Sequence, residues 1–240
     1  MNRLALMVLR NPHLFPGAYW KLCHYAKHTD KYDEQEKFAH IRYMMSRAVQ
    51  AGNIDLQVYG KENLPRENGY VMYGNHQGLF DVIAIAATYD GAVGAVFKKE
   101  LQGIPIVDQV IACTKSFAMD REDVRQSMKV IQAVTEEVKK GRNYVIFPEG
   151  TRSKKGNEML PFHSGSFRSA LKAQCPIVPF AFIDSFKVLD QKGSAPVTVQ
   201  LHYLPAIPYE EYQGMKTGEI AAMVQERIAQ VIAAHSGATE

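Results

Sequence analysis

The stretch "YVMYGNHQGLFDVIAIAA", residues 70–87, changes its character in the middle. The run "YVMYG" has the length and composition of a buried strand, and "LFDVIAIAA" (79–87) is typical of a buried helix. Polar residues fill the junction between them. A strand that passes directly into a helix predicts an α/β unit, and the chain after Gly52 repeats this alternation.

Further short apolar runs are typical of strands in a buried sheet. Helical spacing relates the apolar residues of 124–138, of "SGSFRSALKAQ" (164–174) and of the segment that begins at Thr217. We therefore expect an α/β domain over residues 52–240, with a central, mostly parallel sheet flanked by helices and with ligands bound beyond the carboxyl ends of its strands. The other predicted strands are "IDLQVYG" (54–60), "AVGAVF" (92–97), "KSFAM" (115–119), "NYVIF" (143–147), "PIVPFAFI" (176–183) and "VTVQLHYL" (197–204).

Residues 1–51 predict an amphipathic two-helix hairpin with the polar turn "HTDKYD" (28–33), and Asp33 with Glu36 resembles a capping box. An apolar stripe runs from Phe15 to Ala26, and no acidic residue occurs between positions 1 and 27. Such a segment suits a helix that lies on anionic lipid headgroups. Alternatively, the stripe packs against the α/β domain or a second subunit.

Composition excludes some classes of protein. The 240 residues are 46% hydrophobic and carry a net charge of only +3, without a dense basic block, so we expect no nucleic-acid partner. Cys23, Cys113 and Cys175 are too few and too widely spaced for a disulfide framework, which favours a reducing compartment. The apolar run Leu4–Leu9 is too short for a signal peptide, and no run approaches the roughly 20 residues of a membrane-spanning helix. We expect a peripheral protein on the cytoplasmic face of the cell membrane.

His76 and Asp81 flank the junction of strand and helix. A carboxylate that folds back on a histidine ring fixes its tautomer and stabilises its protonated form, which makes the histidine a general base. Alternatively, His76 caps a turn and Asp81 caps the helix. His28 and Asp33 have the same spacing, but they lie in a solvated turn without apolar residues to form a pocket, so we expect no catalytic role for them.

A second polar cluster, "FPEGTRS" (147–153), follows another strand. Gly150 allows close approach of the backbone, Thr151 and Ser153 supply hydroxyls, and Arg152 supplies a planar fork that suits phosphate. The cluster is not a P-loop, because no Gly-Lys-Ser/Thr follows. The alternative is a charged surface turn.

Together the two clusters resemble the glycerolipid acyltransferases, in their NHxxxxD and FPEGTRS blocks. Weaker matches are "SFAMDR", which ends in Asp120 and Arg121, "FKKEL" before Pro105, and "PIVPFA" with Pro179. The resemblance covers roughly residues 52–210, and the N-terminal hairpin is similar to the segment with which small bacterial members sit in one leaflet. The chain departs from the family at Gly78, where a serine is common, and in "FHSG" (162–165), which lacks a lysine.

The resemblance implies transfer of an acyl group, without an acyl-enzyme, from acyl carrier protein or coenzyme A to the sn-2 hydroxyl of 1-acyl-glycerol-3-phosphate (lysophosphatidic acid). His76 would be the general base, Asp81 would orient it, and no cofactor or metal would be needed. Glycerol 3-phosphate or another lysolipid remains an alternative acceptor, and an inactive lipid-binding protein remains an alternative function. The acceptor would be held by Lys98, Lys99, Arg121, Glu149, Gly150, Thr151 and Arg152.

Other enzyme classes lack their signatures in this chain. A serine hydrolase of the elbow type needs G-x-S-x-G, which "HSGSF" does not supply. Cys113 and Cys175 lie in apolar contexts typical of inert thiols. The eight histidines include no HExxH and no paired ligand spacing for zinc.

Overall fold

The seven predicted strands are all present. The computed structural model describes residues 3–12 and 16–237. The strands pair in one sheet in the order β1-β7-β6-β2-β5-β3-β4, and every pair is parallel except the antiparallel pair β6–β7. This confirms the predicted α/β class with a mostly parallel sheet. The strands are β1 (Ile54–Tyr59), β2 (Val71–Gly74), β3 (Val93–Lys98), β4 (Phe117–Met119), β5 (Asn143–Ile146), β6 (Ile177–Ile183) and β7 (Val197–Tyr203).

The helices alternate with the strands after Gly52. The predicted helices at 79–87, 124–138 and 217 onward are present, and the segment 164–174 forms a short 3₁₀ turn followed by an α-helix. The sequence did not predict α1, α5, α8 or α9. The α-helices are α1 (Arg3–Leu9), α2 (Gly17–Lys27), α3 (Glu34–Ala51), α4 (Phe80–Thr88), α5 (Val107–Thr114), α6 (Val124–Lys139), α7 (Arg168–Ala173), α8 (Phe186–Leu189), α9 (Tyr209–Tyr212) and α10 (Thr217–His235).

Helices cover both faces of the sheet. In β2, Val71 and Tyr73 pack into the core layer beneath α6, α7 and α10, whereas Met72 packs into the layer beneath α1, α3 and α4. Side chains alternate between the two faces of a strand, so a strand that is buried on both faces has apolar residues in succession. This explains why the strands appear in the sequence as unbroken apolar runs.

The start of α3 has a simpler cap than the sequence indicated. The Asp33 carboxylate accepts the backbone N–H of Gln35 at 2.7 Å, as a helix cap does. Glu36 instead accepts the hydroxyl of Tyr25 at 2.7 Å. The acidic residue of the expected capping box therefore ties α3 to α2.

Part of the apolar stripe of α2 packs within the protein. Leu22 and the neighbouring Tyr25 are buried in a cluster with Ile41 and Met44 of α3 and Cys113 of α5, whereas Tyr19 and Cys23 are half-buried. Leu22 therefore packs as the alternative interpretation expects, and contact of the hairpin with a membrane stays a prediction. Phe15, the first residue of the predicted stripe, lies outside the described residues.

The outer surface of this region keeps apolar residues of its own. Trp20 of α2 is 70% exposed and Leu9 of α1 is 67% exposed. Over residues 3–12 and 16–237, no helix combines the length and the apolar character that crossing a bilayer requires. The domain boundary between residues 51 and 52 stays a prediction. Met7 and Phe38, which precede it, share a core cluster with residues of the sheet.

The carboxyl ends of five strands meet at one edge of the sheet. β2, β3, β4, β5 and β6 run in the same direction, as the parallel pairs among them show. The segments that follow them begin near His76, Lys99, Asp120, Glu149 and Ser185. This edge is where α/β proteins bind ligands, and it gathers the two polar blocks of the sequence.

Candidate active site

His76 and Asp81 form a direct pair. The loop after β2 places the Nδ1 atom of His76 2.7 Å from an Asp81 carboxylate oxygen, and Asp81 lies in the first turn of α4. With Nδ1 donating to the carboxylate, the lone pair of Nε2 is left to accept a proton. This is the orientation that a histidine base requires.

Three further donors hold the Asp81 carboxylate. The oxygen that accepts from His76 also accepts the backbone N–H groups of Gln77 at 2.7 Å and Gly78 at 3.0 Å. The other oxygen accepts the hydroxyl of Ser185, which follows β6. Asp81 is fully buried, so these bonds compensate for its desolvation and fix its position.

The imidazole ring of His76 packs against an aromatic ring and is partly exposed to solvent. It stacks on the ring of Phe147 with centroids 4.3 Å apart and an angle of 25° between the planes. The side chain is 16% exposed. A partly open ring can reach a substrate while its neighbours limit access of water.

Glu149 ties the loops after β2 and β5 together. Its carboxylate accepts the backbone N–H of His76 at 2.8 Å and that of Leu160 at 3.0 Å, while the N–H of Ser153 donates to the carbonyl of His76 at 2.9 Å. Burial raises the pKa of Glu149, and the two N–H donors oppose that shift. These contacts are those of a residue that fixes backbone, and the expected contact of Glu149 with the acceptor stays a prediction.

A buried amide network anchors the His76 loop to the end of β6. The side-chain oxygen of Asn75 accepts the N–H of Phe182 at 2.7 Å, and its amide donates to the Phe182 carbonyl at 2.9 Å. Gln77 accepts the N–H of Ser185 at 2.9 Å and donates to Asn157 at 2.8 Å. The residues on either side of His76 therefore hold it rigidly to a neighbouring strand.

Gly150 adopts a conformation that favours glycine. Its φ is +71°, and a Cβ added there would lie 3.1 Å from the ring of His163 and 3.9 Å from the Cδ of Arg121. The absence of a side chain thus brings these two groups close to the backbone of the second block. Arg121 lies near Gly150, and its expected contact with the acceptor stays a prediction, whereas His163 was not predicted as part of the site.

Arg152 is engaged by a carboxylate. Its guanidinium forms an ion pair with Asp190, and about a third of each side chain is exposed. Asp190 also lies against Gly78, two residues after His76. The structure therefore connects the Arg152 end of the second block to the first block through a residue that the sequence did not indicate.

The remaining predicted binding residues lie on the exposed margin. Lys98 pairs with Glu100 at 2.6 Å, and Lys99 pairs with Asp120 at 3.3 Å. Thr151 is also exposed. Lys98 ends β3 and Lys99 follows it, at the same edge of the sheet as His76.

The comparison pair His28 and Asp33 has a different geometry. Asp33 caps α3, and the Nδ1 atom of His28 lies 2.9 Å from the carbonyl of His24 within α2. The identical sequence spacing therefore leads to two separate local contacts, because no strand-to-helix junction folds Asp33 back onto the ring.

Two thiols are unsuited to nucleophilic chemistry. Burial raises the pKa of Cys113 to about 11 and that of Cys175 to about 12. A cavity of about 570 Å³ that Cys113 lines opens near Val93 and Asn143, at the amino ends of β3 and β5. It lies at the edge of the sheet opposite His76.

In the described part of the chain, no group of three or more His, Cys, Asp or Glu side chains could hold a metal ion.

Solved structures include one with the same fold. The crystal structure of the 1-acyl-sn-glycerophosphate (LPA) acyltransferase from Thermotoga maritima superposes with a TM-score of 0.77, at 20% identity, over 96% of this chain and 95% of that one. At this identity the likeness concerns the fold. It includes the N-terminal helices as well as the sheet.

Sequence comparison identifies the family. The chain is 37% identical over 118 residues to the 1-acyl-sn-glycerol-3-phosphate acyltransferase of Helicobacter pylori, which covers 49% of this chain and 50% of that one. For the enzymes of that name from Saccharomyces cerevisiae and Salmonella typhimurium, the identities are 28% and 33%, over 73% and 74% of this chain and 59% and 74% of theirs. The chain thus spans between half and three quarters of these relatives. The profile of the Acyltransferase family matches residues 55–183, more than half of the chain, and we conclude that the chain belongs to the acyltransferase family.

Proposed function

We propose that the protein transfers an acyl group from an acyl thioester to the sn-2 hydroxyl of 1-acyl-glycerol-3-phosphate, which forms phosphatidic acid. The single observation that carries this proposal is the His76–Asp81 pair, at 2.7 Å, on the same sheet edge as Arg121 and Arg152. A base at the same sheet edge as two arginines suits an acceptor that has both a hydroxyl and a phosphate. The relatives named above are acyltransferases for this acceptor.

The reaction needs one base and no covalent intermediate. Nε2 of His76 takes the proton from the acceptor hydroxyl as its oxygen attacks the thioester carbonyl carbon. The tetrahedral adduct then collapses, the C–S bond breaks, and the imidazolium returns its proton to the thiolate. The products are the ester and a free thiol, so atoms and charge balance. A general base contributes about 10²- to 10⁴-fold to such a step.

Asp81 stabilises the imidazolium that forms during the step. Its carboxylate is held by Gln77, Gly78 and Ser185, so the negative charge stays in position when the ring becomes positive. A fixed charge that is already in place needs no reorganisation during the reaction. Glu149, which accepts the N–H of His76, fixes the backbone from the other side.

Arg121 and Arg152, with backbone groups of the second block, would bind the acceptor phosphate. Arg121 lies near Gly150, and Arg152 pairs with Asp190, which lies against Gly78. A guanidinium binds phosphate through two parallel N–H bonds, and each charge-assisted bond is about twice as strong as a neutral one. Thr151, Lys98 and Lys99 would add donors and positive charge at the margin. The acyl donor would be a thioester of acyl carrier protein or of coenzyme A.

The outer surface of α1 and α2 would contact the membrane that contains the acceptor. Leu9 and Trp20 are exposed there, and Arg10 and Lys21, which follow them directly in the chain, are exposed too, so this region combines apolar side chains with positive charge. This combination favours peripheral binding to anionic lipid. The proposed location is the cytoplasmic face of the cell membrane.

Product analysis tests the proposed activity. Purified protein in liposomes is incubated with lysophosphatidic acid, glycerol 3-phosphate or lysophosphatidylcholine, each with acyl-coenzyme A and with acyl carrier protein as donors, and the products are identified by mass. We expect phosphatidic acid from lysophosphatidic acid with at least one donor. Transfer to another acceptor alone would reassign the substrate, and no transfer with any pair would support a lipid-binding protein without activity.

Charge substitutions test the membrane surface. We expect Leu9→Asp and Trp20→Asp to weaken flotation with anionic vesicles while the thermal unfolding midpoint stays unchanged. Val124→Asp is the matched control, because Val124 is 70% exposed on α6, on the other face of the sheet. Equal release by the control variant would show that α1 and α2 are not the specific contact.

A further inference from the structure

Asp190 is paired with Arg152, the arginine that the proposed function assigns to the acceptor phosphate. It lies at the end of α8 and forms an ion pair with Arg152. About a third of each side chain is exposed, so the pair is open to an incoming ligand. An acceptor cannot use the guanidinium fully until this carboxylate moves.

Gly78 makes the position of Asp190 possible. A Cβ added at Gly78 would lie 2.5 Å from the Asp190 Oδ2 atom. This distance is far below ordinary contact, so any side chain at position 78 would displace the carboxylate. The nearest atom is the end of a flexible side chain, so the carboxylate can rotate away. The Cβ would also lie 3.3 Å from the Cα of Phe186, so the start of α8 would shift by a few tenths of an ångström.

The backbone that carries Asp190 is firmly anchored. The buried guanidinium of Arg3 donates to the carbonyls of Lys187 at 2.9 Å and Val188 at 2.8 Å, and the N–H of Asp190 bonds to the carbonyl of Phe186 at 3.2 Å. Release of Arg152 thus requires rotation of the Asp190 side chain rather than movement of the loop.

We propose that Asp190 sets the apparent affinity for the acceptor, because its carboxylate and the acceptor phosphate compete for Arg152. This inference rests on the proposed function. A phosphate monoester carries a charge of about −1.5 to −2 at neutral pH and three acceptor oxygens. It therefore binds the guanidinium better than a carboxylate does. Displacing Asp190 nevertheless costs free energy, and every acceptor that uses Arg152 is weakened by the same factor. Asp190 therefore raises KM for the acceptor without contacting it.

The test compares two acceptors with the same acyl chain, lysophosphatidic acid and lysophosphatidylglycerol, on full-length protein in mixed micelles. In Asp190→Asn the competition is removed, and KM for both acceptors falls. KM for lysophosphatidic acid falls by about two- to fivefold, the range typical of a partly exposed ion pair, KM for lysophosphatidylglycerol falls by no more than the same factor, and KM for the acyl donor stays unchanged. The control is Glu158→Gln, which removes the same charge from a residue that pairs with Lys155 and leaves all three KM values unchanged.

A second variant removes the contact without removing the charge. Gly78→Ala displaces the Asp190 carboxylate and lowers KM for lysophosphatidic acid as Asp190→Asn does, and adding it to Asp190→Asn causes no further decrease. An unchanged KM for lysophosphatidic acid in both variants, or a higher one in Asp190→Asn, overturns the inference, because Asp190 then does not compete for Arg152 or orients it for the substrate. Wild-type protein that acylates neither acceptor overturns the proposed function as well.

Discussion

Replacing Asp81 by asparagine separates the charge of this residue from its shape. An asparagine oxygen can still accept the N–H groups of Gln77 and Gly78, which lie 2.7 Å and 3.0 Å from the carboxylate oxygen. The loop that carries His76 should therefore keep its conformation. What Asp81→Asn removes is the negative charge next to Nδ1 of His76.

The size of the effect follows from that single loss. A hydrogen bond to a charged group contributes about 1.5–3 kcal/mol, and about 1.4 kcal/mol corresponds to a tenfold change in rate. If only the imidazolium in the transition state loses this stabilisation, kcat falls by about 10- to 150-fold. KM for acceptor and donor should change little, because Asp81 is buried and contacts neither.

The assay is steady-state formation of phosphatidic acid, with thermal unfolding measured on the same samples. Ser185→Ala is the matched control, because it removes a different hydrogen bond from the same carboxylate and keeps the charge. We expect Ser185→Ala to lower the free energy of unfolding by about 1–3 kcal/mol and kcat by less than tenfold. Equal kcat losses in the two variants, or a folded Asp81→Asn protein with full kcat, would refute the assignment of Asp81 as the charge partner of His76.

Three other predictions concern different parts of the molecule. Arg152→Ala should raise KM for a phosphorylated acceptor by about tenfold or more and leave KM for the donor unchanged, since a charge-assisted bond is lost; equal increases in both would make Arg152 a structural residue. Gly150→Ala should lower the free energy of unfolding by about 1–2 kcal/mol, measured by denaturant titration, because φ is +71° there; an unchanged value would contradict the strain. Burial, with a smaller contribution from His235, lowers the pKa of His202 to about 4. Between about pH 6.5 and pH 4, the unfolded chain therefore binds a proton at His202 that the folded protein does not. The free energy of unfolding consequently decreases as the pH falls through this range. His202→Phe should flatten the decrease in unfolding free energy between these pH values, and an identical pH profile would contradict the shift.

The sequence was informative where partners lie close together along the chain. His76 and Asp81 are five residues apart across a strand-to-helix junction, so their contact could be predicted from local geometry. Ser185 contacts Asp81 over a separation of 104 residues, and Asp190 contacts Arg152 over 38. Such pairs depend on which strands are neighbours in the sheet, which a single sequence does not specify.

Amphipathic patterns had a similar limit. The stripe of α2 correctly predicted a helix with one apolar face, but periodicity does not distinguish a face covered by protein from one covered by lipid. Only the tertiary structure shows that Leu22 and Tyr25 lie against α3 and α5. The helix α5 itself was missed: it follows Ile106, whose φ is +74°, and residues 107–114 have no clear boundary signal.

The role of His76 as the base of an acyl transfer is tested most directly by kcat/KM for phosphatidic acid formation. The measurement compares His76→Ala with the wild type and with His28→Ala. We expect His76→Ala to unfold at the wild-type temperature and to lose at least about 10²-fold in kcat/KM, the contribution of a general base. His28→Ala should retain full activity, because the His28 ring contacts the carbonyl of His24 in its own helix and lies in the turn after α2, away from the sheet edge that carries His76. A folded His76→Ala protein with near-normal kcat/KM would contradict the mechanism.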